Sequence, residues 1–373
     1  MAHYPREACL TEVTLGVLPC GRYLPATLSL LGESIPRMAA AQHPARRSPM
    51  HSTRRPTVLR RAVLAGCGAL AVGLVAKAQN RPRRIAWITE APHPFVVPFR
   101  NGLADAGLVD QRDFIISTHY VDGPPERMAE AALTLNRGEA DIVVASGGAA
   151  VDAARQHITS VPLFIVTNNI VGLGLVSSLA RPGKNISGFD LATQEFAPKW
   201  LERMAELLPE SRRIAVLMGE ERETRSQFEA ISAAASSLRR EVFPVIATDG
   251  DFVRVFSDVV AGGGSGAISC SYPPFAARRK ELISASAGAR IPVCYPNRIF
   301  PMEGGVMSYG PDFSVVFRRA GVLVARIVRG EPPEMIPIER PTRFELVVNK
   351  GAAGAIGIVV PGQLLANADE IID

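Results

Sequence analysis

From Arg83 onward short apolar, β-branched runs alternate with longer stretches of helical period, and after Phe196 the same alternation begins afresh. The first set predicts strands over Arg84 to Thr89, Asp113 to Tyr120, Ile142 to Ser146, Leu163 to Thr167 and Ile186 to Phe189. Helices are predicted between them over Phe95 to Ala106, Pro125 to Asn136, Ala149 to His157 and Val171 to Ala180. Strands that are apolar throughout are covered on both faces, and strand–helix–strand order pairs them in parallel. The second set predicts a helix over Phe196 to Leu208, then strands Arg213 to Met218, Glu241 to Ala247, Ala267 to Cys270 and Val293 to Tyr295. These alternate with helices over Arg222 to Arg239, Asp251 to Ala261 and Phe275 to Ala287. The fold class is therefore α/β, with two doubly wound parallel-sheet lobes.

The tail makes no third unit. Gly305 to Tyr309 and Phe344 to Val348 read as strands, and Ser314 to Arg329 and Gly351 to Ile356 as helices, too little for a core of its own. It is expected to return to the earlier sheets, which joins the lobes by more than one crossing segment and leaves a hinged cleft between them. The length, 373 residues, suits two lobes plus an export segment.

Charge separates the leader from the rest. Residues 1–84 hold 13 Lys and Arg against 3 Asp and Glu, so the remaining residues carry 28 against 33 and are net acidic. The overall positive charge belongs to the leader, and nucleic acid is not an expected partner. Arg54, Arg55, Arg60 and Arg61 form a positive region, Ala62 to Ala76 an uncharged apolar stretch, and Ala76-Lys77-Ala78 a small-residue cleavage site before Gln79. That is the order of a signal peptide over residues 50–78, too short to span a membrane. Residues 1–49, upstream of a second start at Met50, read as a mis-called extension. The chain is expected in the periplasm. Leu64-Ala65-Gly66-Cys67 matches a lipobox, but only five residues separate Arg61 from Cys67. Arg60-Arg61 leaves a twin-arginine route open. Beyond the leader only Cys270 and Cys294 remain, expected as buried free thiols on neighbouring parallel strands where disulfide geometry is strained.

Signatures of catalysis are missing from the sequence. Gly172-Leu173-Gly174 falls inside a predicted helix and lacks the third glycine of a dinucleotide turn. Gly262-Gly263-Gly264-Ser265-Gly266 precedes a strand rather than following one. His93, His119 and His157 make no zinc spacing, and Ser146 lacks a nucleophile elbow. No cofactor, metal or catalytic residue is expected.

Ligands of open parallel sheets sit beyond the carboxyl ends of the strands, where helix N-termini present free N–H groups. Those ends are Thr89-Glu90-Ala91, Ser146-Gly147-Gly148, Asn168-Asn169, Met218-Gly219-Glu220, Ser271-Tyr272, Tyr295-Pro296-Asn297 and Tyr309-Gly310. Ser146-Gly147-Gly148 either cradles an anion or is an ordinary helix start. Asn168 and Asn169 either donate and accept toward ligand or form a turn. Phe95, Tyr272, Tyr295 and Tyr309 either wall a ring or pack at the lobe interface.

The segments Phe99-Arg100-Asn101-Gly102-Leu103, Ile142-Val143-Val144-Ala145-Ser146-Gly147, Val171 to Asn185, Met307-Ser308-Tyr309-Gly310-Pro311 and Pro341 to Asn349 resemble, in order and interval, the ABC transporter substrate-binding proteins similar to tryptophan- and tyrosine-binding periplasmic proteins. The resemblance implies a type I periplasmic-binding fold, a monomer that captures a small molecule, and a permease partner in the inner membrane. It places one lobe at residues 83–190 plus 300–330 and the other at 191–299 plus 331–373. An exported α/β enzyme and a ligand-sensing regulatory module are the rival readings.

The cleft positions depart from that family's pattern. Relatives carry Gly-Asp-Pro where this chain has Asn168-Asn169-Ile170, Thr-Pro at Gly148-Ala149 and Asn-Pro at Gly219-Glu220. A neutral Asn169 cannot pair with an ammonium as an aspartate would. Glu90 and Glu220, one from each lobe, either restore a negative site or are rim charges. Amino-acid specificity therefore does not carry over, and a small polar or aromatic metabolite is the expected ligand.

Overall fold

The computed structural model describes residues 81–373 with the exception of His93. The leader and the upstream extension lie outside the described residues.

The first sheet contains β1 (Arg83–Thr89), β2 (Phe114–Tyr120), β3 (Ile142–Ser146), β4 (Leu163–Thr167) and β5 (Ile186–Asp190), ordered β2-β1-β3-β4-β5 and parallel throughout. β1, β3 and β4 are buried almost end to end, so the sheet needs cover on both faces. One face packs on α1 (Val96–Asp105) and on a helix near the C-terminal end, α10 (Phe313–Val328). The other packs on α2 (Pro125–Thr134) and α3 (Gly148–His157).

The second sheet is ordered β12-β11-β10-β9-β8-β6-β7. Its parallel strands are β6 (Arg213–Met218), β7 (Glu241–Ile246), β8 (Gly266–Ser269), β9 (Val293–Tyr295) and β10 (Met307–Gly310). The tail adds β11 (Glu345–Asn349), antiparallel to β10, and β12 (Glu370–Ile372), parallel to β11. One face carries α4 (Thr193–Leu207), α5 (Arg222–Ala235), α11 (Lys350–Ala355) and α12 (Gly362–Ala366). The other carries α6 (Phe252–Ala261), α7 (Pro273–Ala277), α8 (Arg279–Gly288) and the short α9 (Ile299–Met302). Arg278, with φ −103° and ψ 25°, separates α7 from α8 where one helix was expected.

Two sequence readings need correction. Val171 to Ala180 forms turns, not a helix; Gly174 inside it takes a φ of 67° and Asn169 just before it 53°, which a helix cannot absorb. The lobe boundary in the tail also moves. β10 lies in the second sheet, so residues 300–312 belong to the second lobe and only α10 returns to the first. Ile336 and Ile338 pack in the first lobe's two cores, so that lobe extends past residue 330.

The chain crosses between lobes three times: after β5, between β10 and α10, and between Ile338 and Phe344. Two of these crossings are tied together. β5 makes a parallel bridge from Phe189 to Glu339, and Arg340 pairs with the fully buried Asp190 at 2.7 Å.

Candidate functional site

In each sheet the strand order reverses beside the first strand, at β1/β3 in the first lobe and β6/β8 in the second. Such a reversal opens a crevice beyond the carboxyl ends, because the flanking helices leave to opposite faces. The two crevices face each other. A Cβ added to Gly147, which follows β3 with φ +96°, would strike both Glu90 of its own lobe and Pro273 of the other. One added to Gly148 would come 2.9 Å from Glu223 Oε2.

Glu90 follows β1 and turns back onto the start of α3. Its Oε1 accepts the Ala149 N–H at 2.8 Å and the Ala150 N–H at 3.3 Å, an acidic side chain at the positive end of a helix dipole. The two amides that follow Ser146-Gly147-Gly148 are thus occupied by the protein's own carboxylate. Burial pushes the Glu90 carboxyl up to about 7, against the lowering effect of those N–H donors.

The facing rim supplies Glu221 and Glu223. Glu223, in the first turn of α5, is 4% exposed and accepts the Asn168 amide from the opposite lobe; Asn168 also takes the Thr193 hydroxyl. Burial first, and then the neighbouring Glu90, push Glu223 up to about 8. Glu221 Oε1 accepts the Tyr272 hydroxyl at 2.8 Å, while its Oε2 is buried with no hydrogen-bond partner. Two further links cross the cleft: Asn169 Nδ2 donates to Ser226 Oγ at 3.1 Å, and Arg222 pairs with Asp152 at 2.9 Å.

Between the lobes lies an inner cavity of about 30 Å³, room for about two waters. Phe95, Tyr272, Phe300, Phe313 and Phe317 supply its aromatic wall, with Ser146, Gly147, Ser271 and Asn297 at its polar edge and Glu223 as a charged lining residue. Phe95 stacks on Phe317 at 5.1 Å and meets Phe313 edge-on at 5.6 Å. On the other side of Glu223 a recess of about 510 Å³ opens between α2, α3 and the start of α5, within the size range of small-molecule sites.

The structure therefore brings Glu90, Phe95, Ser146, Gly147, Gly148, Asn168, Asn169, Tyr272 and Asn297 to one cleft. Thr89 is buried behind Glu90 and donates its hydroxyl to that carboxylate at 3.3 Å. Ser271 is held by Gln227, whose Oε1 takes the Ser271 N–H at 2.8 Å. Gly219 lies beneath the Glu221 carboxylate, where a Cβ would collide.

Three expectations are corrected. Tyr295 is fully buried in the second lobe's core, stacked on Phe300 at 4.4 Å with its hydroxyl 3.4 Å from Ser286 Oγ; odd positions of β9 face that core. Tyr309 packs on Phe196 and Phe344, and its carbonyl accepts Trp200 Nε1–H at 2.6 Å. Glu220 is exposed and borders the outer recess, so the second lobe's acidic groups facing Glu90 are Glu221 and Glu223. The run Glu220-Glu221-Arg222-Glu223 announced acid at this rim. Which member turns inward depends on the exact start of α5, which periodicity does not fix.

A family model described as ABC transporter substrate binding protein matches residues 93–372. The chain belongs to the ABC transporter substrate-binding protein family. A tyrosine-binding protein of Clostridioides difficile (strain R20291) is 22% identical over 267 residues, 69% of this chain and 75% of that one. The ABC domain from Streptococcus pneumonia solved in complex with L-Trp has a TM-score of 0.68 at 20% identity, covering 77% of this chain and all of that one. A conserved domain protein from Vibrio cholerae O1 biovar eltor gives 0.70 at 22% identity, covering 78% and 100%. The fold of this substrate-binding protein is the type I periplasmic-binding fold, as the sequence resemblance implies. Its Cys270 and Cys294 are free and buried, and burial raises both thiols well above their ordinary range, so neither is a ready thiolate. No helix among the described residues is long and apolar enough to cross a membrane.

Proposed function

We propose that this chain is the ligand-capturing component of an ABC importer, a monomer that works in the periplasm, delivers a small organic molecule to a permease and catalyses no reaction. The observation that carries this reading is the apposition of the two switch-point crevices, Glu90 and Gly147 against Glu221, Glu223 and Tyr272, across a cleft whose walls belong to different lobes. A molecule held there contacts both lobes at once, so its binding energy favours the closed arrangement and reports occupancy as shape. The three inter-lobe crossings support this, since they leave the sheets as rigid bodies and confine motion to short segments. The Arg-rich, apolar, small-residue order of residues 50–78 supports export with maturation near Gln79. The relatives named for tyrosine and L-Trp make small aromatic metabolites the first compounds to test.

Mass spectrometry of what co-purifies, followed by a thermal-shift screen of small metabolites, tests the reading. Ligand that binds the folded state alone raises the melting temperature in proportion to ln(1 + [L]/Kd). A saturable shift abolished by a bulky residue at Gly148 is expected. Turnover of a bound compound, or a cytosolic protein retaining residues 50–78, would overturn it.

A further inference from the structure

The charge of the cleft specifies its ligand further, on the footing that the chain is a substrate-binding protein. A free amino acid brings a carboxylate as well as an ammonium, and a parallel-sheet crevice holds such a carboxylate on the N–H groups of the helix that follows the strand. Here the Ala149 and Ala150 amides of α3 already donate to Glu90 Oε1, at 2.8 and 3.3 Å. Gly147 and Gly148, which leave the helix start open to close approach, are instead flanked by carboxylates from both lobes, Glu90 and Glu223. Glu221 adds a third, and its Oε2 is a buried acceptor without a donor. Among the described residues lining the inner cavity there is no Lys, Arg or His. The neighbouring guanidinium, Arg222, is engaged by Asp152 at the rim. An anionic group entering this space meets carboxyls from both lobes and no cation. A cationic group meets acceptors from both lobes, in a space where burial strengthens the attraction.

We propose that the ligand is an organic monocation without a carboxylate, an amine or amidine on an aromatic or apolar body. Its charged end lies between Glu90, Glu221 and Glu223 and its ring against Phe95, Tyr272, Phe300 and Phe317. This requires the lobes to part around it, because the inner cavity of about 30 Å³ has room for about two waters. The cation gives Glu221 Oε2 the donor it lacks and draws the opposed carboxylates together, so ligand and lobe closure are coupled through charge. The protons that Glu90 and Glu223 hold when the cleft is empty of cation leave as the ammonium enters.

Isothermal titration calorimetry on the full exported protein tests this with matched pairs that differ only in the carboxylate: tryptamine against L-tryptophan and tyramine against L-tyrosine, with indole-3-acetate as the anionic control. At least tenfold tighter binding of the amine in a pair is expected, with net proton release seen as a dependence of the heat on buffer ionisation enthalpy. Glu223→Gln and, separately, Glu221→Gln should each weaken the amine at least tenfold while retaining the cooperative melting transition. Amino acids that bind as tightly as the amines, or a co-purified ligand with no cationic group, would overturn the proposal and leave the substrate-binding reading standing. Failure of every class of compound to shift the melting temperature would overturn both.

Discussion

Arg340 forks onto Asp190, with Nε at 3.0 Å and Nη2 at 2.7 Å from the same carboxylate oxygen, Oδ2. The other oxygen takes the N–H of Ala192 at 3.0 Å, and Ala192 itself sits at φ 53°. One buried carboxylate thus holds the first inter-lobe crossing in its turn and ties it to the last. Removing Arg340 leaves Asp190 buried without its cation. Arg340→Ala should therefore cost roughly 2 to 4 kcal/mol in urea unfolding, less than a fully buried pair because Arg340 is partly exposed. Small-angle scattering of the variant should show a broader distribution of lobe separations. A variant as stable and as compact as the parent would mean that the pair is incidental to the hinge.

A second prediction concerns Gly102 and Gly321, where α1 and α10 cross. A Cβ on Gly102 would run into the backbone oxygen of Arg318, and one on Gly321 into the backbone oxygen of Phe99. Backbone cannot yield as a flexible side chain can, so the helices must move apart and lose packing around Trp87 and Phe317. Gly102→Ala and Gly321→Ala should each destabilise by about 1 to 3 kcal/mol, against the usual gain from Gly to Ala within a helix. Thermal unfolding reads the sign directly.

Closure is the third. Asn168 with Glu223, Asn169 with Ser226 and Arg222 with Asp152 all join opposite lobes, and none bridges within one sheet, so separation breaks them without disturbing a core. Scattering should give a smaller radius of gyration at saturating ligand. Asn169→Ala and Tyr272→Ala should weaken binding by roughly 1 to 3 kcal/mol with the fold intact. An unchanged radius, or full affinity in both variants, would move the site elsewhere.

The two-lobed fold was legible because its signal is repetition. Uniformly apolar strands such as Ile142 to Ser146 and the helices between them need only local pattern, and the resemblance at Phe99 to Leu103 has a physical root in Gly102. Strand ends were legible too, which is why Glu90, Gly147 and Asn168 fall in the cleft. Orientation beyond those ends was not. Tyr295 stands at a strand end yet faces the core, since a three-residue strand offers no alternation to read. Glu220 and Glu223 differ only in where α5 begins. The Arg340–Asp190 pair spans 150 positions, and no local pattern announces it. The Val171 to Ala180 segment failed through apolar spacing that satisfied a helix while Gly174 supplied the turn.

The fourth prediction follows from the opposed carboxyls. Burial holds Glu90 at about 7 and Glu223 at about 8, both above the ordinary carboxylate value near 4.3 that the unfolded chain shows. Between the unfolded and folded values the closed protein binds more protons than the unfolded one, so stability of the closed form is greatest below the unfolded pKa and is lost as pH rises toward about 8. Each fully shifted group contributes a slope of at most about 1.4 kcal/mol per pH unit. The acidic neighbours of the pair act in the same sense, since Glu90 faces Glu221 and Tyr272 as well as Glu223 while the cation Arg222 is paired with Asp152; the Ala149 and Ala150 N–H groups on Glu90 and the Asn168 amide on Glu223 oppose them without reversing the direction. Asp113 and Asp141 are held below the usual carboxylate range by Arg112 and Arg84, so their opposite contribution ends before this window opens. Urea unfolding from pH 5.5 to 8.5 should show stability falling with pH in the parent and falling less in Glu223→Gln, which keeps the Asn168 contact with a neutral group. Ligand should behave oppositely if it is a cation, binding more tightly as the pH rises and the carboxyls ionise. A flat parent profile, or a variant with the same slope, would show that the two carboxyls are ionised in the closed cleft and that closure is balanced by some other charge.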